Sequence, residues 1–131
     1  MKVLIVEHNA DLARIWARFL QRNDVEVDLA HSQAEAIKLL RFNHYDALVL
    51  QLILPDGGAI AISDYATYRN PEVPIITVTN SGFFSDGSVF NLIPNVRSMM
   101  STPLRPGDLM AMIDHFSDRR DVPQAEEARR A

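Results

Sequence analysis

The run Ala47-Leu48-Val49-Leu50-Gln51-Leu52-Ile53-Leu54-Pro55-Asp56-Gly57 is apolar but for one polar residue at its centre. It reads as a buried strand over Ala47–Ile53 that ends in a sharp loop. In an open α/β sheet, chemistry gathers at the carboxyl ends of such strands. A carboxylate at position 51 would make a phosphate-accepting site there. Gln51 cannot serve, because its amide is neutral and not nucleophilic. Other strand ends bring Glu7-His8 and Thr79, and Thr102 follows a last strand. Together these positions offer one carboxylate, one imidazole, one amide and two hydroxyls.

The elements that position these residues alternate along the chain. Lys2–Val6 is a short β-branched run, read as a buried strand. Asn9 or Asp11 can cap the helix that follows to Arg22. Leu12, Ile15, Trp16, Phe19 and Leu20 recur at helical spacing as one core-facing stripe. Val25–Leu29 alternates with period two, which predicts an edge strand with one wet face. Ser32-Gln33-Ala34-Glu35 is a capping box and opens a helix through Phe42. A third helix is expected over Ala59–Tyr68, stopped by Asn70-Pro71-Glu72-Val73-Pro74. Ile75–Thr79 and Val96–Met100 read as strands. The irregular segment Asn80–Asn95 has room for a short helix at Ser88–Leu92. Pro106 suits the first turn of a last helix through Phe116.

Five strands alternating with five helices predict a doubly wound parallel α/β sheet. The chain has 131 residues, 47% apolar and 23% charged, which is ordinary globular usage for one domain. Residues 1–116 read as that domain and residues 117–131 as a disordered tail. The net charge of −4 argues against a nucleic-acid partner. No apolar run reaches the ~20 residues that cross a bilayer. With no cysteine, a reducing, cytoplasmic setting is expected.

The ordered landmarks resemble the receiver domain of two-component response regulators. Val3-Leu4-Ile5-Val6 with its polar turn, Leu48–Gly57, Pro74-Ile75-Ile76-Thr77-Val78-Thr79 and Thr102-Pro103 carry the resemblance, over residues 2–116. It implies a flavodoxin-like (βα)5 fold with strand order 2-1-3-4-5. It also implies a chemistry. An acidic pair and an acceptor Asp bind Mg²⁺, the Asp takes phosphate from a kinase phosphohistidine, and a hydroxyl and a Lys hold the phosphoryl group.

Carried over residue by residue, that pattern is broken. The acidic pair is Glu7-His8, the acceptor is Gln51 and the Lys is Thr102, while Thr79 keeps the hydroxyl. The aromatic switch position falls on Met99. The reading is a degenerate pseudo-receiver lacking its phosphoacceptor, with no enzymatic activity, no cofactor and weak or absent Mg²⁺ binding. A hydrogen bond from Thr79 to Gln51 is expected as a neutral replacement for the ionic site.

The expected function is a phosphorylation-independent interaction module in signal transduction. Phe83, Phe84 and Phe90 are the candidate contact residues, on the face that the resemblance makes the output surface. The expected partner is a protein, such as a histidine kinase or another response regulator, or a second copy of the chain. Two alternatives stand beside it. One is a phosphorelay participant that uses Asp56 or His8 as acceptor, or docks a kinase without accepting phosphate. The other is a small-ligand sensor with a neutral pocket at Glu7, Gln51, Thr79 and Thr102.

Overall fold

A computed structural model describes residues 1–79, 96–101 and 104–117. In chain order the elements are β1 (Lys2–Val6), α1 (Ala10–Arg22), β2 (Glu26–Ala30), α2 (Gln33–Phe42), β3 (Ala47–Gln51), β4 (Ile53–Leu54), β5 (Gly57–Gly58), α3 (Ala59–Arg69), β6 (Ile75–Thr79) and β7 (Val96–Ser101). A last helix, α4, covers 106–117. The five long strands form one parallel sheet in the order β2-β1-β3-β6-β7, and β4 and β5 pair as a small antiparallel hairpin. Setting that hairpin aside, this is the expected 2-1-3-4-5 order of a flavodoxin-like fold. The expected helix at Ser88–Leu92 and the tail from residue 118 lie outside the described residues.

Strand alternation divides the core into two layers. Val3, Ile5, Val49, Ile76 and Val78 pack with Trp16, Leu20, Leu109 and Ile113 of α1 and α4. Leu4, Val6, Leu48, Leu50 and Ile75 pack with Ala36, Leu40, Ile62 and Ala66 of α2 and α3. The central strands are buried on both faces, which is why they read as continuous apolar runs. Full burial of each large aliphatic side chain contributes roughly 1.5–3 kcal/mol.

Three expectations change. Ile15 is exposed. Ala13 and Ala17 continue the buried stripe with Trp16 and Leu20, because Ile15 falls on the opposite side of the 100° helical wheel. The central strand stops at Gln51, two residues early. Leu52 leaves the sheet, so that Ile53 and Leu54 pair with Gly58 and Gly57 across the Pro55-Asp56 turn. The capping box is only half made. Ser32 Oγ accepts from the Glu35 N–H (3.2 Å), while the Glu35 side chain is not seen to accept from the Ser32 N–H in return; the two N–H groups between them turn to another partner. Gln33 and Ala34 donate to Asp56 Oδ1 (2.8 Å) and Oδ2 (3.1 Å). The hairpin turn thereby caps a helix more than twenty residues upstream, with the negative charge the helix start favours.

Helix α1 begins with Asn9 accepting from the Leu12 N–H. It ends in a Schellman motif: Asp24 N–H donates to the Gln21 carbonyl and Val25 N–H to the Leu20 carbonyl. Asp24 takes φ 64° to close it. At the other end of the sheet, Lys2 Nζ meets Asn43 Oδ1 (3.0 Å), Glu26 (3.5 Å) and Asp28 (3.7 Å). Tyr45 Oη donates to Asp28 (2.6 Å). Burial, then that bond, pushes the Tyr45 phenol well up.

Two outcomes follow from these termini. Asp24→Gly removes the left-handed penalty and is expected to raise stability by about 0.5–1 kcal/mol, read from urea midpoints. Asp56→Asn is expected to lower the melting temperature at neutral pH. The Gln33 N–H and then the Ala34 N–H hold the Asp56 carboxyl below its ordinary 3.8. The folded-state value is depressed, so its stabilisation is present above that pH and lost below it. The gap between wild type and Asp56→Asn is therefore expected to close as pH falls below 3.8.

Candidate functional site

Parallel register brings three strand ends to one place. Val6 pairs with Leu50 and with Ala30, and Gln51 pairs with Val78. The next residues, Glu7 and Thr79, therefore emerge on either side of Gln51, at the carboxyl edge of the sheet. Glu7 is 1% exposed, Gln51 4% and Thr79 1%. Glu7 is anchored through its own backbone. Its N–H donates to the Ala30 carbonyl (2.9 Å). Its carbonyl lies 3.0 Å from His31 Nδ1, so that nitrogen carries the ring proton.

The Glu7 carboxylate is met on both oxygens. Oε1 accepts from Gln51 Nε2 (3.0 Å). Oε2 accepts from the Asn9 N–H (3.0 Å) and lies 3.2 Å from His8 Nδ1. The far end of the Gln51 amide is also engaged, because Oε1 accepts from the Leu52 N–H (3.0 Å). That same N–H also reaches the Val78 carbonyl (3.1 Å), a shared bond at the strand end. A buried carboxylate without such donors would be costly.

Both ends of the Gln51 amide are engaged by groups that the spacing did not suggest, Glu7 and the Leu52 N–H. Spacing along the chain could not reveal this, since Glu7 and Gln51 are 44 residues apart. His8 is half-exposed at the rim. Asp56 stands at the surface, with both oxygens on the first turn of α2. Met99 lies on β7 in register with Thr77, whose hydroxyl donates to the Ser98 carbonyl (3.1 Å). Thr102, Phe83, Phe84 and Phe90 lie outside the described residues; among the described ones the structure brings together Glu7, His8, Gln51 and Thr79.

Chemically the site holds one buried carboxylate and a neutral amide closed on each other. Mg²⁺ takes octahedral oxygen sets built on carboxylates. Among the described residues no group of three or more His, Asp or Glu side chains converges. Among the described residues Glu7 is the one carboxylate at the strand ends, and those residues do not fit the ion. Among the described residues no helix is long and apolar enough to cross a membrane.

Known proteins agree with the architecture. The family model described as the response regulator receiver domain matches residues 3–114. The response regulator protein PilR of Pseudomonas aeruginosa is 27% identical over 127 residues, 97% of this chain and 28% of that protein. The aerobic respiration control sensor protein ArcB of Escherichia coli is 30% identical over 124 residues, 92% of this chain and 16% of that protein. The chain thus spans under a third of the length of these curated relatives. Among solved structures, a CheY-like receiver domain protein from Methanospirillum hungatei superposes with TM-score 0.84 at 21% identity, covering 93% of this chain and 97% of that one. A two-component response regulator from Clostridium difficile gives 0.83 at 25% identity, covering 92% and 98%. With the matched fold and the matched span together, this chain belongs to the response regulator receiver domain family of two-component signalling.

Proposed function

We propose that this receiver domain works without being phosphorylated, as a protein-interaction module in a signalling pathway. One observation carries the reading: the Gln51 amide donates to the buried Glu7 carboxylate at 3.0 Å. Phosphoryl transfer to a receiver needs an anionic oxygen free to attack and positive charge to receive the phosphoryl oxygens. Position 51 presents a neutral amide whose two ends are already bonded. The substitutions are mutually compatible. With one carboxylate in place of an acidic cluster, the site needs no metal to hold it together, and an amide donor suffices. Loss of the acceptor, a metal ligand and the Lys, at Gln51, His8 and Thr102, is one coherent change.

The partner is proposed to be a protein of the same kind of pathway, a kinase or another regulator, or a second copy of the chain. Phe83, Phe84 and Phe90 remain the proposed contact residues on the output side. Asp56 is a poor substitute acceptor, because both its oxygens already cap α2.

Incubation with acetyl phosphate and millimolar Mg²⁺, followed by intact-mass measurement, is expected to leave the mass unchanged. An acid-labile phosphate on the wild-type chain overturns the reading, and its loss in Asp56→Ala or His8→Ala would locate it. Mg²⁺ alone is expected to leave the melting temperature where it was. Gln51→Glu places a second carboxylate against Glu7 and is expected to cost roughly 3 kcal/mol at neutral pH. Like charges raise the folded-state titration of the pair above the unfolded value of about 4.3. The penalty therefore grows as pH rises above that value and fades below it, which urea melts across pH will read.

A further inference from the structure

We propose that the outer faces of α1 and α4 associate with the same faces of a second copy of this chain, as a weak two-fold dimer held by opposite charges. The surface is separate from position 51 and from Phe83, Phe84 and Phe90. The proposal therefore goes beyond the function above and does not depend on it.

Helices α1 and α4 share one layer of the core, where Trp16 and Leu20 pack with Leu109 and Ile113. Their outward sides are sorted by charge. α1 carries Arg14, Arg18 and Arg22 at intervals of four, together with Asp11, for a net charge of +2. α4 carries Asp108 and Asp114 with no Lys or Arg, for a net charge of −2. All of these side chains are exposed. Arg14 meets Asp11, a surface pair that contributes little by itself. Arg18, Arg22, Asp108 and Asp114 make no ion pair or side-chain hydrogen bond with any described residue. Counting Arg105, the exposed residue directly before α4, the two helices together are close to neutral. On a chain of net charge −4, two such faces approach without mutual repulsion.

The order of the charges suits a copy of itself. Both helices leave the carboxyl edge of the parallel sheet and run back across it, so they point the same way. A two-fold axis across them lays each helix antiparallel to the other helix of the partner. Arg22, at the end of α1, then meets Asp108 of the partner subunit, and Arg14 meets Asp114 of the partner subunit. The two arginines are eight residues apart and the two aspartates six, about 12 and 9 Å along a helix. A long Arg side chain spans that difference. Exposed Ala111 lies between the aspartates and leaves room for Arg18.

An apolar centre accompanies the charges. Ile15 is 55% exposed. With Arg18, Phe19, Arg22 and Pro106 it lines a groove of about 240 Å³ between α1 and the start of α4. Covering Ile15 and that groove supplies attraction that exposed ion pairs alone do not. Two adjacent helices about 20 Å long and about 10 Å wide present a patch about 20 Å on a side. That is small for a specific interface, so the dimer forms between micromolar and millimolar concentration.

Sedimentation velocity of the full chain at rising concentration tests this. The wild type is expected to dimerise at low salt, and about tenfold more weakly at 1 M salt, where exposed charges are screened. Arg18→Glu/Arg22→Glu and Asp108→Arg/Asp114→Arg are each expected to stay monomeric. All four positions are exposed, and circular dichroism checks that both variants fold. An equimolar mixture of the two is expected to dimerise, because the reversed charges then match across the axis. Ile15→Glu, which leaves both charge sets in place, is expected to weaken the dimer at least about tenfold. A wild type that stays monomeric at millimolar concentration and low salt overturns the proposal. So does a dimer that survives in the charge-reversed variants or in Ile15→Glu, or a mixture that stays monomeric. Acetyl phosphate labelling is a separate readout, so either proposal can fail alone.

Discussion

A carboxylate removed from water must find donors for both of its oxygens, and Glu7 finds them at the seam where β1 and β3 end. The Gln51 amide supplies one and the Asn9 backbone the other, with His8 alongside. This requirement fixes more than one side chain. It ties the turn into α1, the end of β3 and, through the Leu52 N–H, the start of the β4–β5 hairpin to a single buried charge. An amide is well suited to the role, because it donates at one end and accepts at the other. A carboxylate at position 51 would only accept, and would need a cation between itself and Glu7.

A second long-range tie holds the same edge of the sheet. The Pro55-Asp56 turn reaches the N-terminus of α2, and its carboxylate caps two N–H groups there. The loop after β3 is thus bonded to neighbours at both ends. Below it, the two apolar layers do the bulk of the stabilising work, and the Lys2, Asp28 and Tyr45 cluster closes the opposite end of β1 and β2.

Much of the fold could be read locally. β1 and β6 have their predicted bounds, and Asn9 and Ser32 cap the helices that their positions suggest. Burial on both faces leaves a continuous apolar run, and helix caps are defined by residues three apart, so both signals lie within a few positions of sequence. Ile15 departs from the expected stripe for a related reason. An apolar residue beside a stripe looks like part of it until the helix is rotated against a real sheet. The end of β3 is hidden in the sequence because the apolar run continues into the hairpin, and only strand pairing separates the two.

Residue type alone decided that position 51 carries no nucleophile, that one carboxylate remains at the first strand end, and that the chain is a doubly wound α/β domain. Those are properties of side-chain chemistry and of hydrophobic period, which need no third dimension. Tertiary structure decided what Gln51 does instead and that Asp56 caps α2. Each of these joins residues distant in sequence, and only parallel register and helix packing bring them within bonding or contact range.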